Sequence, residues 1–143
     1  MTLYAYTDGA SRGNPGESGI GAVVRTESGS VVLRFQRHIG RATNNIAEYT
    51  ALLELLERMR EVPCTRLVVH SDSELMVRQL NGSYKVKAPE LRRRYERFVS
   101  LRKALPFGLE IRHVAREQNR EADQLANEGI DGGPGLEQAA SQV

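Results

Sequence analysis

Four carboxylates in this sequence stand where chain elements begin or end, not along exposed helical faces: Asp8, Glu48, Asp72 and Asp123. Asp8 closes the alternating stretch Leu3–Asp8, and Asp72 follows the apolar run Leu67-Val68-Val69-His70-Ser71. Glu48 falls in the first turn of one helical pattern and Asp123 in the first turn of another. Ends of adjacent strands and starts of the helices covering them can converge, so acids distant in sequence can share a site. Convergent carboxylates repel one another and call for cations, and hard Mg²⁺ with its preference for oxygen ligands is the natural partner. Two such ions about 3.5–4 Å apart can clamp an in-line phosphoryl displacement.

Each acid also has an ordinary explanation. Asn45-Ile46-Ala47-Glu48 has the spacing of a capping box, with Glu48 reaching back to the Asn45 amide. Ser71-Asp72-Ser73-Glu74 has the same spacing, which accounts for Glu74 without catalysis. Asp72, and Asp123 behind a cap at Asn119, would also complement helix macrodipoles. Asp8 fits this reading worst, because no helix follows it.

Two neighbouring segments carry groups suited to nucleic acid. Arg41-Ala42-Thr43-Asn44-Asn45 sets a guanidinium, a hydroxyl and two amides before a helix N-terminus. Such donors suit a phosphate, and Asn side chains reach 2′-hydroxyls and base edges in a minor groove. A polar loop with an Asn cap explains them equally well. Gly13-Asn14-Pro15-Gly16 is a turn in its own right.

The elements that must position these groups follow from periodicity. Leu3–Asp8, Gly19–Thr26 and Val31–Ile39 read as three strands joined by short turns, hence an antiparallel meander. In the third, Val31, Leu33, Phe35 and Ile39 share one face and Arg34, Gln36 and His38 the other, the mark of a half-buried strand. Ile46, Tyr49, Leu53 and Leu56 repeat at helical spacing within Asn45–Arg60. Arg66–Ser71 is a strand, Ser73–Leu80 a short helix ended by Asn81-Gly82, and Pro89 opens a helix with a stripe of Leu91, Tyr95, Phe98, Leu101 and Leu105. Leu109–Val114 is a fifth strand and Asn119–Gly129 a last helix, giving the order βββαβααβα. The Gly/Pro-rich segment after it reads as a flexible tail over 131–143, leaving one domain over 1–130.

Composition bounds the setting. The 143 residues, 40% hydrophobic and 27% charged, match one ordinary globular domain. No apolar run is long enough to span a membrane, and the start enters a strand pattern without a leader-like segment. A lone cysteine, Cys64, excludes an internal disulfide and a multi-thiolate metal site, which reads as a reduced, cytoplasmic protein. The net charge of +2 hides an uneven distribution. Basic residues dominate from Arg78 to Lys103, whereas acids dominate after Glu117. The basic stretch suggests a polyanion contact on one face, or else a solvated Arg-rich helix.

Taken together, the segments resemble the type 1 ribonuclease H family over roughly Leu3 to Ile130. The resemblance lies in Tyr6-Thr7-Asp8-Gly9-Ala10-Ser11 with Gly13-Asn14-Pro15-Gly16, in Thr43-Asn44-Asn45-Ile46-Ala47-Glu48-Tyr49, in Ser71-Asp72-Ser73-Glu74-Leu75, and in Asn119-Arg120-Glu121-Ala122-Asp123-Gln124-Leu125-Ala126. It implies a ribonuclease H-like α/β fold, a five-stranded mixed sheet in the order 3-2-1-4-5 with helices on both faces. It implies that Asp8, Glu48, Asp72 and Asp123 bind two Mg²⁺ (or Mn²⁺) ions and that the protein hydrolyses the RNA strand of an RNA/DNA hybrid. One ion would activate the attacking water and the other stabilise the departing 3′ oxygen, leaving 5′-phosphate and 3′-hydroxyl ends. By the same likeness Asn14, Asn44, Asn45 and Glu74 line the minor groove, and Arg41 and Thr43 grip a DNA-strand phosphate. A monomer is expected. The alternatives are a same-fold nuclease preferring double-stranded RNA or RNA–DNA junctions, and a non-catalytic hybrid-binding module.

Three departures from the family pattern stand out. The loop before the last helix, Ala115-Arg116-Glu117-Gln118, lacks the histidine many members carry there. The vacant helper role falls to Arg116 or Glu117, while His113 reads as a structural histidine within the preceding strand. Glu74 stands where many relatives have glutamine. The basic protrusion of larger relatives is missing, so Lys85, Lys87 and Arg92–Arg94 are the candidates for its charge.

Overall fold

The computed structural model describes residues 1–132. Its elements are β1 (Thr2–Arg12), β2 (Gly16–Thr26), β3 (Val31–Ala42), α1 (Asn44–Met59), β4 (Arg66–Ser71), α2 (Glu74–Leu80), α3 (Pro89–Ala104), β5 (Gly108–His113), a 3-10 turn (Arg116–Gln118) and α4 (Arg120–Gly132). The sheet has the expected order β3-β2-β1-β4-β5. The β1–β2 and β2–β3 pairs are antiparallel, whereas β4 and β5 join in parallel after helical crossovers. α4 continues to Gly132, two residues into the stretch read as tail, and 133–143 lie outside the described residues.

One face of the sheet carries the main core. Leu3, Ala5, Ile20, Ala22, Val24, Leu33, Phe35, Leu67 and Val69 pack with Leu52, Leu55, Leu56 and Met59 of α1, and Leu91, Phe98 and Leu101 of α3 extend the cluster. Each fully buried leucine contributes about 1.5–3 kcal/mol of hydrophobic stabilisation. α4 covers the opposite face over β1, β2 and β3. It sits so low that a Cβ on Gly19 would lie 2.3 Å from the Ala126 carbonyl, and one on Gly21 2.5 Å from Leu125 Cβ. This second cover corrects the half-buried reading of β3: Val32 and Gln36, on its other side, are buried too.

The strands outrun their hydrophobic patterns, and this relocates Asp8. β1 pairs with β4 only as far as Thr7↔Ser71, but with β2 from Leu3↔Thr26 through Arg12↔Glu17. Asp8 therefore lies inside β1, at the first residue beyond its parallel partner, and does not close the strand. Backbone pairing to β2 carried the strand onward through residues with no apolar alternation. Among the described residues, no helix is long and apolar enough to cross a membrane.

A close helix–strand contact joins α1 to β1. A Cβ on Gly9 would meet the Ala47 carbonyl carbon at 2.2 Å and the Glu48 nitrogen at 2.5 Å. Both neighbours are backbone, so only a shift of the helix relieves the clash. Gly9→Ala is expected to cost at least about 2 kcal/mol in urea denaturation, within the range for overpacking. An unchanged midpoint would show that α1 does not depend on this approach.

Candidate active site

Glu48 owes its place to that contact. Thr43 caps α1, its hydroxyl accepting from the Ile46 N–H at 3.2 Å, so the helix starts at Asn44 and Glu48 lies past its first turn. The capping box expected between Asn45 and Glu48 is absent. Instead Glu48 Oε1 accepts the Gly9 N–H at 3.1 Å, across the gap that the glycine leaves open. Asp8, next to Gly9, points to the other face of the sheet, because it pairs with Gly21, which lies under Leu125 of α4.

Asp72 follows β4, where the Ser71 hydroxyl accepts from the Ser73 N–H at 3.1 Å and Ser73 caps α2 by accepting from Met76 N–H. One carboxylate oxygen each from Asp8, Glu48 and Asp72 lies within 4.8 Å of the others. Asp123, on α4, lines the same cleft but stands outside this set of three. Asn119 does not make the expected side-chain cap, because its Oδ1 is buried without a hydrogen-bond partner among the described residues. It is buried, and its Nδ2 donates to the Thr7 carbonyl at 2.9 Å, pinning the start of α4 beside Asp8. Only its place four residues before Asp123 hinted at this.

Asp8 and Glu48 are the groups most altered by their surroundings. Burial, then the charges of Glu48, Asp72 and Asp123, push the Asp8 carboxyl far above its ordinary range. Burial and Asp72 also raise Glu48, against the opposing pull of the Gly9 N–H, Asp8 and the Arg116 guanidinium. The cluster thus holds protons that a cation would displace. An all-oxygen set of mutually repelling carboxylates at one point fits a hard divalent ion.

The substrate candidates divide. Asn44 and Asn45 line the cleft with the acids. Asn44 Oδ1 accepts from Ser11 N–H and its own N–H donates to Asn14 Oδ1, both at 3.1 Å, so Asn14 braces the cleft from outside it. Thr43 is occupied as a cap, and exposed Arg41 has no partner among the described residues. Glu74 is exposed, outside the cleft lining and ion-paired with Arg78 at 3.0 Å. Of the two helper candidates, Arg116 lines the cleft and Glu117 does not. His113 is exposed at the end of β5 with no hydrogen bond among the described residues, which corrects its reading as a satisfied structural histidine.

The basic run of the α2–α3 region is neutralised only in part. Arg97 pairs with Glu57, Arg92 with Glu96 and Arg78 with Glu74, while Arg94 and Arg102 donate to the Glu90 and Leu109 carbonyls. Lys85, Lys87, Arg93, Arg94, Arg102 and Lys103 keep no ion-pair partner among the described residues. Tyr84 is exposed beneath the Arg78 guanidinium.

The acid cluster has a signature in stability. Folded-state pKa values raised above the unfolded ones mean that the native state binds more protons. The contribution of these two carboxyls to stability without metal is fully present below about pH 4 and is lost as pH rises through the raised values. In chelator at pH 8, Asp8→Asn is expected to melt several degrees above the parent and with a shallower pH dependence. Adding Mg²⁺ should close that gap by raising the parent alone. A parent melting as high as the variant would contradict the buried repulsion.

Comparison with known proteins agrees with the geometry. A family profile described as "Reverse transcriptase-like" matches residues 6–129. The chain is 41% identical over 129 residues to ribonuclease HI of Halobacterium salinarum, covering 90% of this chain and 64% of that one. It is 42% identical over 133 residues to the bifunctional protein Rv2228c of Mycobacterium tuberculosis, covering 92% of this chain and 36% of that one. The chain thus spans less than two thirds of these curated relatives. The crystal structure of LC11-RNase H1 in complex with RNA/DNA hybrid superposes with a TM-score of 0.86 at 40% identity, covering 91% of this chain and 97% of that one. A sheet in the order 3-2-1-4-5, acids gathered where β1 leaves β4, and these likenesses place the chain in the type 1 ribonuclease H family.

Proposed function

We propose that this protein is an endoribonuclease that hydrolyses the RNA strand of RNA/DNA hybrids with Mg²⁺ or Mn²⁺, two ions per substrate-bound site, leaving 5′-phosphate and 3′-hydroxyl ends. The observation that carries the proposal is the convergence of Asp8, Glu48 and Asp72, with Glu48 held by the Gly9 N–H and not spent on capping its helix. The hybrid bound by the LC11 relative supports the substrate class.

Asp8, Glu48, Asp72 and Asp123 would hold the ions. When bound, the ions supply Lewis acidity for the attacking water and for the departing 3′ oxygen. The chain's other groups place the substrate. Asn44 and Asn45 present amides at the cleft, with Asn14 bracing Asn44, toward the minor groove and its 2′-hydroxyls. Arg41, without a side-chain partner among the described residues, and the Thr43 hydroxyl would face a DNA-strand phosphate. Arg116 brings positive charge to the cleft, where it favours an ionised Glu48 and stabilises charge on the phosphate under attack. Glu117 does not line the cleft, which leaves that role to Arg116. Lys85, Lys87 and Arg93 remain for longer-range attraction. Glu74, tied to Arg78, reaches the groove only after leaving that pair. The catalytic unit is residues 1–130. The protein would act as a cytoplasmic monomer.

The test is cleavage of a labelled hybrid beside matched duplex RNA and an RNA–DNA junction, in Mg²⁺ and in Mn²⁺. Hybrid cleavage should dominate, and Asp8→Asn or Asp72→Asn should lower it at least about a hundredfold, a loss of several kcal/mol of transition-state stabilisation. Full activity in either variant would sink the metal assignment, and preference for duplex RNA or junctions would change the substrate.

Helper roles are separable in the same assay. Arg116→Ala should reduce kcat about tenfold or more, whereas His113→Ala should retain most activity. A hundredfold loss in His113→Ala, the low end of acid–base contributions, would reverse that assignment.

A further inference from the structure

The fourth carboxylate is gripped from outside the cleft. Asn127 Nδ2 lies 3.3 Å from Asp123 Oδ1 and donates to the Asp123 carbonyl at 3.0 Å. On its other side, Asn127 Oδ1 faces Arg12, whose Nη2 is 3.4 Å away. Arg12 Nη1 pairs with Asp131. A guanidinium has only donors, so it holds the amide oxygen toward itself and leaves the NH₂ group for the carboxylate. The amide therefore has one orientation. Asp123, Asn127 and Asp131 recur every four residues along one side of α4, and Arg12 is the last residue of the β1 extension beyond Asp8.

We infer that Asn127 is a positioning residue for Asp123, with the Arg12–Asp131 pair locking its amide so that the carboxylate meets a divalent ion in a fixed orientation. The inference rests on the reading of Asp123 as a metal ligand. It gives the β1 extension a task that pairing with β2 alone does not explain: it brings a guanidinium to the C-terminal half of α4, at Asn127 and Asp131. It also accounts for Asp123 standing apart from the other three acids while lining their cleft, because its carboxylate is shared between the cleft and Asn127.

The experiment is Mn²⁺ titration by calorimetry, without substrate, on the full chain and on Asn127→Ala, Asp123→Asn and the double variant. Melting temperature and the kcat and KM of hybrid cleavage are measured alongside. Alanine is the best helix former and Asn127 is only half-buried, so the variant keeps its fold. Asn127→Ala should weaken Mn²⁺ binding about 10–100-fold, the range for groups that orient metal ligands, and lower kcat with KM within about twofold. In the Asp123→Asn background the same change should have no further effect on Mn²⁺ affinity. Arg12→Lys should weaken binding in the same direction by less. Unchanged affinity in Asn127→Ala, with Asp123→Asn impaired, would overturn the inference, as would an equal loss of affinity in both backgrounds. Unchanged affinity in Asp123→Asn itself would instead overturn the ligand reading beneath it.

Discussion

Holding like charges side by side in a buried place is the constraint around which this fold is arranged. Asp8, Glu48 and Asp72 bring their oxygens within 4.8 Å of one another, two of them out of water. No ion pair in the cleft offsets this repulsion among the described residues. Arg116 lines the cleft and pulls on Glu48 only through its charge. The stability for such an arrangement must come from elsewhere, and it comes from the apolar face of the sheet under α1 and from the close seat of α4 on Gly19 and Gly21. A cleft of protonated or repelling acids is then a standing demand for divalent cations.

The sheet supplies the opening. β4 stops pairing at Ser71 while β1 continues with β2 to Arg12, so the backbone of β1 is released on one side just as Asp8 and Gly9 appear. Gly9 admits α1, and the helix delivers Glu48 to the freed N–H. Asn119 ties the start of α4 to the Thr7 carbonyl one residue earlier. Three elements therefore meet within three consecutive residues of β1, a placement that needs no long loop and little mobility.

Much of this is legible in the chain itself. Alternation and helical spacing disclose the five strands and four helices, because each buries one face and the apolar pattern records it. The four acids stand out for the same reason: they interrupt or flank those patterns. What escapes is decided by contacts between distant segments. The cap at Thr43, two residues before the expected start of α1, depends on which hydroxyl meets the Ile46 N–H. The extension of β1 carries no apolar signal, since its residues 9–12 are held by backbone pairing. His113 reads as structural from its place in a strand, yet β5 is an edge strand and leaves it exposed. The basic run looks like a single polyanion contact, but Glu57, Glu74 and Glu96 meet several of its arginines.

The charge of the chain takes its meaning from this arrangement. A total near neutrality conceals acids concentrated in one cleft and lysines and arginines distributed around it. The claim that organises the rest is that the buried acids hold protons until a divalent ion replaces them. Calorimetric titration with Mn²⁺ at pH 7, in buffers of different ionisation enthalpy, counts the protons released on binding. The account predicts release of about one proton or more by the parent and a smaller release by Asp8→Asn. Binding with no proton release, or with the same release in both proteins, would contradict it.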